Sequence, residues 1–196
     1  MLKNLAGNIV ADIFRAADMT VQYLIISRCS LGSLRLLRGF SLTLQDISAE
    51  WDLRGTLKHW SGRELKILRC PTFDDELLAA MADGDLANRD FMCPALTALH
   101  LYNCNFSSIA LKNMLEARIM ASKDEVGWTD ILEASDFDFE NAAPIDTLAV
   151  FGGGPLSQED EKWFKANVYN FYWCVDPYQR SLEYETNPNG YSTYGS

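Results

Sequence analysis

The amino-acid sequence predicts an α/β chain: a solenoid of short parallel strands on a concave face and helices on the convex face, with irregular repeats and insertions. Three observations predict it. One apolar spacing recurs along the chain. Segments with helix caps and helical periodicity follow the copies. The composition, 196 residues with 48% hydrophobic side chains, suits a single folded domain and excludes a mostly disordered chain.

The spacing is an apolar residue, apolar residues at +3 and +5, and a small residue at +8. LTALHLYNC carries it as Leu96, Leu99, Leu101 and Cys104, and VQYLIISRC as Val21, Leu24, Ile26 and Cys29. IDTLAVFGG gives Ile145, Leu148, Val150 and Gly153. GRELKILRC gives Leu65, Ile67 and Cys70, with Gly62 at the first position. This is the leucine-rich-repeat pattern. The two residues of each L-x-L pair lie two apart, so both side chains point to one face of a short strand. A small, weakly polar Cys can tuck beneath the bend that leaves the strand. Strands of this kind stack in parallel and merge their leucines into one core.

A helix is expected after each strand. PTFDDELLAAMA offers Thr72 and Asp74 as caps and Leu77, Leu78 and Met81 as an apolar stripe. NFSSIALKNMLEARIMA offers Ser107 or Ser108 as the cap and Ile109, Leu111, Met114, Leu115 and Ile119 at helical spacing. In GPLSQEDEKWFKA, Ser157 and Asp160 form a capping-box-like pair, with acids in the first turn and Lys165 in the last. NIVADIFRAA, ahead of the first strand, reads as an amphipathic helix through Ile9, Ile13 and Phe14.

The intervals are irregular. Cys29 to Cys70 is 41 residues, Cys70 to Cys104 is 34 and Cys104 to Gly153 is 49, so each holds an insertion or an unrecognised repeat. LGSLRLLRG (31–39) reads as a helix or irregular link, and residues 40–61 as the place of a degenerate strand and helix. Residues 123–142, with seven acids and one Lys, read as an acidic insertion. NVYNFYWCV (167–175) is a candidate last strand. The expected organisation is a repeat solenoid over 1–175 and a disordered or loosely docked tail over 176–196.

Net charge is −10. Residues 1–70 carry ten basic and six acidic side chains, and residues 71–196 seven and twenty-one. Such acidity disfavours sequence-neutral nucleic-acid binding. No apolar run reaches the length of a membrane span, and the N-terminus does not read as a signal peptide. Five cysteines without a close pair suit a reducing compartment, cytoplasmic or nuclear.

CPALTALHLYNCNFSSIALKNMLEAR and DTLAVFGGGPLSQEDEKWFKANV resemble the repeats of fungal F-box/leucine-rich-repeat proteins. The carrying positions are Cys93 to Cys104, Met114 to Arg118 and Leu148 to Phe164. The resemblance implies the target-recognition part of a cullin-RING ubiquitin ligase subunit, in which an F-box grips the adaptor Skp1 and the repeats hold the target protein. An F-box is not evident. Leu5, Ile9, Ile13 and Phe14 match its opening spacing, but Ala6 and Asn8 stand at its Pro and Glu positions. Skp1 is therefore an expected partner only if an F-box lies outside this chain. The alternative is a stand-alone repeat scaffold, or a truncated protein, with no ligase role.

Catalytic patterns fail one by one. The only histidines are His59 and His100, and G-x-S-x-G, H-E-x-x-H, P-loop and C-x-x-C motifs are missing. FGGGP (151–155) precedes a helix that opens on acids, which repel phosphate, so it reads as a repeat turn. Cys93, His100 and Cys104 resemble a zinc set, but the repeat register sends His100 to the face opposite Cys104. Asp136, Asp138 and Glu140 begin like a calcium loop, but Asn141 and Thr147 stand where Gly and Glu are needed. No enzyme activity, cofactor or metal is expected. The five tryptophans read mostly as core or rim packing.

What remains is the concave face. Stacking aligns Ile25, Lys66, His100 and Ala149 in one column, and Ser27, Leu68, Tyr102 and Phe151 in the next. Arg28, Arg69, Asn103 and Gly152 fall just before the small residue. The candidate partner-binding residues are Arg28, Lys66, Arg69, His100, Tyr102, Asn103 and Phe151, since Arg and Tyr are enriched where proteins meet.

Overall fold

The computed structural model describes residues 1–5, 21–29, 39–50, 52–58, 60–84, 91–123 and 142–176. Among them lie seven strands: β1 (Leu2–Lys3), β2 (Val21–Ser27), β3 (Gly39–Gln45), β4 (Glu64–Leu68), β5 (Ala98–Tyr102), β6 (Thr147–Phe151) and β7 (Asn170–Cys174). Four helices accompany them: α1 (Leu53–Leu57), α2 (Asp75–Ala82), α3 (Ser108–Lys123) and α4 (Gln158–Asn167). The strands form one sheet in chain order, and every neighbouring pair is parallel. The fold is α/β with an all-parallel sheet.

The alternation of side chains sorts each strand into two sets. Leu24, Leu42, Leu65, Leu99, Leu148 and Phe171 stand in register across six strands. Two residues on, Leu2, Ile26, Leu44, Ile67, Leu101, Val150 and Trp173 form a second apolar row. Leu42, Leu65, Leu99, Leu148, Ile26, Leu44, Ile67, Leu101 and Val150 are completely buried. Leu24, in β2, is only partly buried and packs against the core from its margin. Leu77, Leu78 and Met81 of α2, Leu111, Met114 and Leu115 of α3, and Phe164 of α4 belong to the same apolar cluster, so the helices close this side of the sheet.

Strand β3 was not legible as a repeat. Its Leu42, Leu44 and Ile47 keep the +3, +5 and +8 places, but Gly39 stands first and Ile47 replaces the small residue. A whole strand and the short helix α1 therefore fill the 41-residue interval that follows Cys29, where the sequence suggested only a degenerate strand and helix. The expected last strand is β7, and Val168, Phe171, Trp173 and Asp176 repeat the spacing once more.

The caps match the chemistry expected of them. Asp74, not Thr72, caps α2, its carboxylate accepting from Leu77 N at 3.0 Å. Ser107 Oγ accepts from Ala110 N at 3.1 Å at the start of α3, and Asp75 Oδ2 accepts from that hydroxyl at 2.8 Å. Ser157 caps α4 through Asp160 N at 3.0 Å. Ile109, expected on the apolar stripe of α3, is instead 64% exposed at its first turn. The expected helix over NIVADIFRAA, the link 31–38, the acidic insertion from 124 to 141 and the tail from 177 onward lie outside the described residues.

One buried charge belongs to this architecture. Arg118, at the end of the Met114-to-Arg118 segment, is fully buried in α3. Its guanidinium donates to the carbonyl oxygens of Ala143 (3.1 Å), Met92 (3.2 Å), Cys93 (3.0 Å), Pro94 (3.2 Å) and Leu96 (3.4 Å). It thereby ties the chain entering β5 and the chain entering β6 to one helix. Burial pulls its pKa down to about 10, and the carbonyls answer that cost with hydrogen bonds rather than with a counter-charge.

The apolar rows set a first test. Leu101 has no exposed surface and contacts core on both sides of its strand. Leu101→Ala is expected to lower the unfolding free energy by about 2–5 kcal/mol in urea titration, the range for truncating a buried leucine. A loss below about 1 kcal/mol would contradict its place in the core.

Candidate partner-binding face

The residues between and beside the apolar pairs point to the other face of the sheet. They stand in three columns. The first is Tyr23, Ser41, Glu64, Ala98, Thr147 and Asn170. The second is Ile25, Thr43, Lys66, His100, Ala149 and Tyr172. The third is Lys3, Ser27, Gln45, Leu68, Tyr102, Phe151 and Cys174. The expected columns are therefore present, with β3 inserted between Ile25 and Lys66 and with β7 added beyond Ala149. None of these residues belongs to the apolar cluster that the helices join.

Arg28, Arg69 and Asn103 do not lie in the strands. Each is the residue at the bend just after its strand, and each has a left-handed backbone, with φ of 52°, 51° and 51°. Asn4, Asp46 and Gly152 occupy the equivalent bends with φ of 56°, 53° and 73°. In the column expected to hold Arg28, Arg69, Asn103 and Gly152, β3 inserts Asp46 between the two arginines. Asp46 accepts from Arg69 Nε at 2.6 Å and Nη2 at 3.0 Å, and from Arg28 Nε at 3.3 Å. The hydrogen bonds from Arg69, then its charge and those of Arg28, hold the Asp46 carboxyl below its ordinary pKa. Both arginines remain substantially exposed, with side-chain exposures of 61% and 49%.

The centre of the face is a polar cluster around Glu64. Lys66 Nζ lies 2.9 Å and His100 Nε2 3.4 Å from Glu64 Oε1. The contact with His100 is the largest influence, followed among the stabilising ones by Ser41 and Lys66, and together they outweigh burial and pull the Glu64 pKa down to about 2. His100 is only 6% exposed, and its Nδ1 has no hydrogen-bond partner among the described residues.

Toward β7 the face becomes aromatic. The rings of Tyr102 and Phe151 stack at 4.6 Å with 2° between their planes, and Phe151 meets Tyr172 at 4.9 Å and 37°. Phe151, expected as an exposed contact, is only 6% exposed, and Ala149 only 4%.

The cysteines take the structural place proposed for them. Cys29 Sγ donates to Ser27 O (3.2 Å). Cys70 Sγ meets Leu68 O (3.4 Å) and Leu44 O (3.6 Å), and Cys104 Sγ meets Tyr102 O and Ile67 O (both 3.6 Å). Burial pushes the thiols of Cys93 and Cys104 up to about 12, so neither is a ready thiolate for metal or nucleophilic chemistry. Cys104 faces the bend, Cys93 Sγ donates to Leu57 O at 3.4 Å, and His100 faces Glu64, so the three diverge. Among the described residues no group of three His, Cys, Asp or Glu side chains could hold a metal ion. Gly152 turns the chain after β6, its N–H donating to Cys174 O at 2.8 Å. Asp136, Asp138 and Glu140 lie outside the described residues.

Sequence reading missed Asp46 and Glu64. Asp46 had no signal, because β3 lacks the small residue that marks the other bends. Glu64 was legible only as the position two before Lys66, which points the same way on the same strand. No family model, curated protein or solved structure matches the chain. Among the described residues no helix is long and apolar enough to cross a membrane.

The Glu64 cluster predicts a pH signature. A carboxylate whose folded pKa is depressed stabilises the fold above its unfolded pKa, here 4.5, and loses that contribution as pH falls toward about 2. Urea unfolding of wild type and Glu64→Gln should therefore show a stability gap above about pH 5 that closes as pH falls toward about 2. Parallel curves across that window would contradict the cluster.

Proposed function

We propose that this chain is a non-enzymatic protein-interaction module, a leucine-rich-repeat solenoid that takes a partner protein on the concave face of its sheet. The observation that carries this reading is the gathering of side chains from separate strands onto one surface. Lys66 and His100 are direct register neighbours, as are Tyr102 and Phe151. Arg28 and Arg69 meet on Asp46 at the strand ends. Only parallel stacking brings residues so distant in sequence together. Two guanidiniums sharing one carboxylate leave a net positive edge on a chain of net charge −10, and that edge favours an acidic partner. The resemblance at Cys93 to Cys104, Met114 to Arg118 and Leu148 to Phe164 supports target recognition for a cullin-RING ubiquitin ligase as the specific role.

Neutralising the edge tests the reading better than reversing it, because two new acids beside Asp46 would repel it. Arg28→Gln with Arg69→Gln should shift the unfolding free energy by less than about 1 kcal/mol, since exposed ion pairs contribute little. In quantitative capture from a lysate of the source cells, proteins retained by wild type should be depleted roughly tenfold on the double variant. Equal retention by a variant of wild-type stability would remove this edge as the binding site.

A further inference from the structure

We propose that the partner is held as an extended acidic segment in a trough along β3, with apolar side chains against Tyr23 and Ile25 and carboxylates on Arg28 and Arg69. This rests on the reading of the face as a partner-binding surface and narrows it to the half built by β1–β4. Side-chain size steps across three strands there. Ser41 and Thr43 of β3 stand between Tyr23 and Ile25 of β2 on one side and Glu64 and Lys66 of β4 on the other. Tyr23 is 67% and Ile25 38% exposed, whereas Ser41 is 4% exposed. The large side chains are therefore walls and the small ones a floor. Neither Tyr23 nor Ile25 belongs to the apolar cluster that the helices join. The walls are two strand spacings apart, about 10 Å, enough for one extended chain. Farther along β3, Gln45 turns to the bend, its Nε2 donating to Asp46 Oδ2 at 3.4 Å. The trough ends there, with Arg28 and Arg69 on either side of Asp46.

Charge selects the occupant. The positions of β1–β4 on this face and at the bends hold four cations, Lys3, Arg28, Lys66 and Arg69, against two carboxylates, Asp46 and Glu64. The equivalent positions of β5–β7 hold no Lys or Arg, and His100, Ala149 and Phe151 there are 6%, 4% and 6% exposed. Accessible surface and positive charge thus coincide at one end of the sheet. Asp46 does not use up the arginines. It engages Nε of Arg28 and Nε and Nη2 of Arg69, so among the described residues both terminal nitrogens of Arg28 and Nη1 of Arg69 keep donors for another acceptor. A guanidinium fork suits paired carboxylate oxygens. Apolar side chains of the same segment would take Tyr23 and Ile25 out of water. Arg28 follows Ile25 by three residues and Tyr23 by five, about 10 and 17 Å along an extended strand. A matching segment therefore carries its acid about three to five positions from its apolar residue.

Selection of a random dodecapeptide library, displayed on phage, against the full chain supplies the probes. Enriched peptides are expected to combine an apolar residue with Asp or Glu at about that separation. The enriched peptides are then synthesised, labelled and titrated by fluorescence anisotropy. Tyr23→Ser with Ile25→Ser, and separately Arg28→Gln with Arg69→Gln, should each weaken binding roughly tenfold or more. Thr43→Trp raises the floor but leaves both walls and both arginines in place, and it should weaken binding by a similar factor. Full affinity in Thr43→Trp would overturn the trough even if the wall variant failed to fold. Sensitivity to the arginine pair alone would also overturn the trough, while leaving the acidic-partner reading standing. Indifference to the arginine pair would overturn both. Enrichment of peptides without acids, or no enrichment, would overturn the proposal. A dimer of the chain in sedimentation, dissociated by the Tyr23 and Ile25 substitutions, would assign the walls to a second copy and overturn it as well.

Discussion

One backbone hydrogen bond, repeated at six strand ends, governs the arrangement of everything else. After each of the first six strands the chain enters a left-handed bend, and the bend residue donates its N–H to the last carbonyl of the next strand. The six bonds run from Asn4 to Ser27, Arg28 to Gln45, Asp46 to Leu68, Arg69 to Tyr102, Asn103 to Phe151 and Gly152 to Cys174, at 2.8 to 3.0 Å. Each bond extends the parallel ladder by one residue and turns the chain off the sheet toward the helical side. A one-residue slip would break the bond and send the leucine rows to the wrong face. Asn, Asp and Gly are the residue types that accept this backbone readily. Arg28 and Arg69 do not share that advantage, and their shared contact with Asp46 offsets part of the strain.

The helical side depends on a different device. The intervals between β4 and β5 and between β5 and β6 are long, and the chain must return in register after each. Arg118 provides the return point by gathering five carbonyls from residues 92–96 and 143. A hydrophobic residue of the same volume would remove the guanidinium from all five, leaving Cys93 O only the Leu96 N–H and Pro94 O only the Ala143 N–H, so the buried charge is a tie for two loops. Lys112 adds a weaker link between α3 and α4, lying 3.6 Å from Asp160 and 5.4 Å from the centre of the Trp163 ring.

The leucine rows were legible because period two leaves a plain trace: Leu65–Ile67, Leu99–Leu101 and Leu148–Val150 are each separated by one residue and followed by a small residue. The bend cysteines were legible for the same reason. Strand β3 was hidden because Ile47 fills the bend with a larger side chain and Gly39 removes the first apolar mark. Of the candidate site, the columns containing Lys66, His100, Tyr102 and Phe151 followed from spacing alone. Asp46 between two arginines did not, since it depends on an unrecognised strand. The burial of His100 and Phe151 did not follow either, because spacing gives the face a residue points to but not how closely its neighbours enclose it. Ile109 shows the opposite limit: helical spacing placed it on the apolar stripe, but at the first turn of α3 it is left 64% exposed.

The central claim is that the strands stack in parallel and in chain order, so that side chains from many strands share one face. Interstrand nuclear Overhauser contacts in the isotope-labelled full chain test it most directly. The account predicts a continuous series of amide-to-Hα contacts linking the second-column positions of neighbouring strands, Thr43 to Lys66, Lys66 to His100, His100 to Ala149 and Ala149 to Tyr172. Short Hα-to-Hα contacts between facing residues, which arise where antiparallel strands bring their Cα atoms within about 4.5 Å, or direct contacts between β2 and β4 with β3 absent from between them, would contradict it.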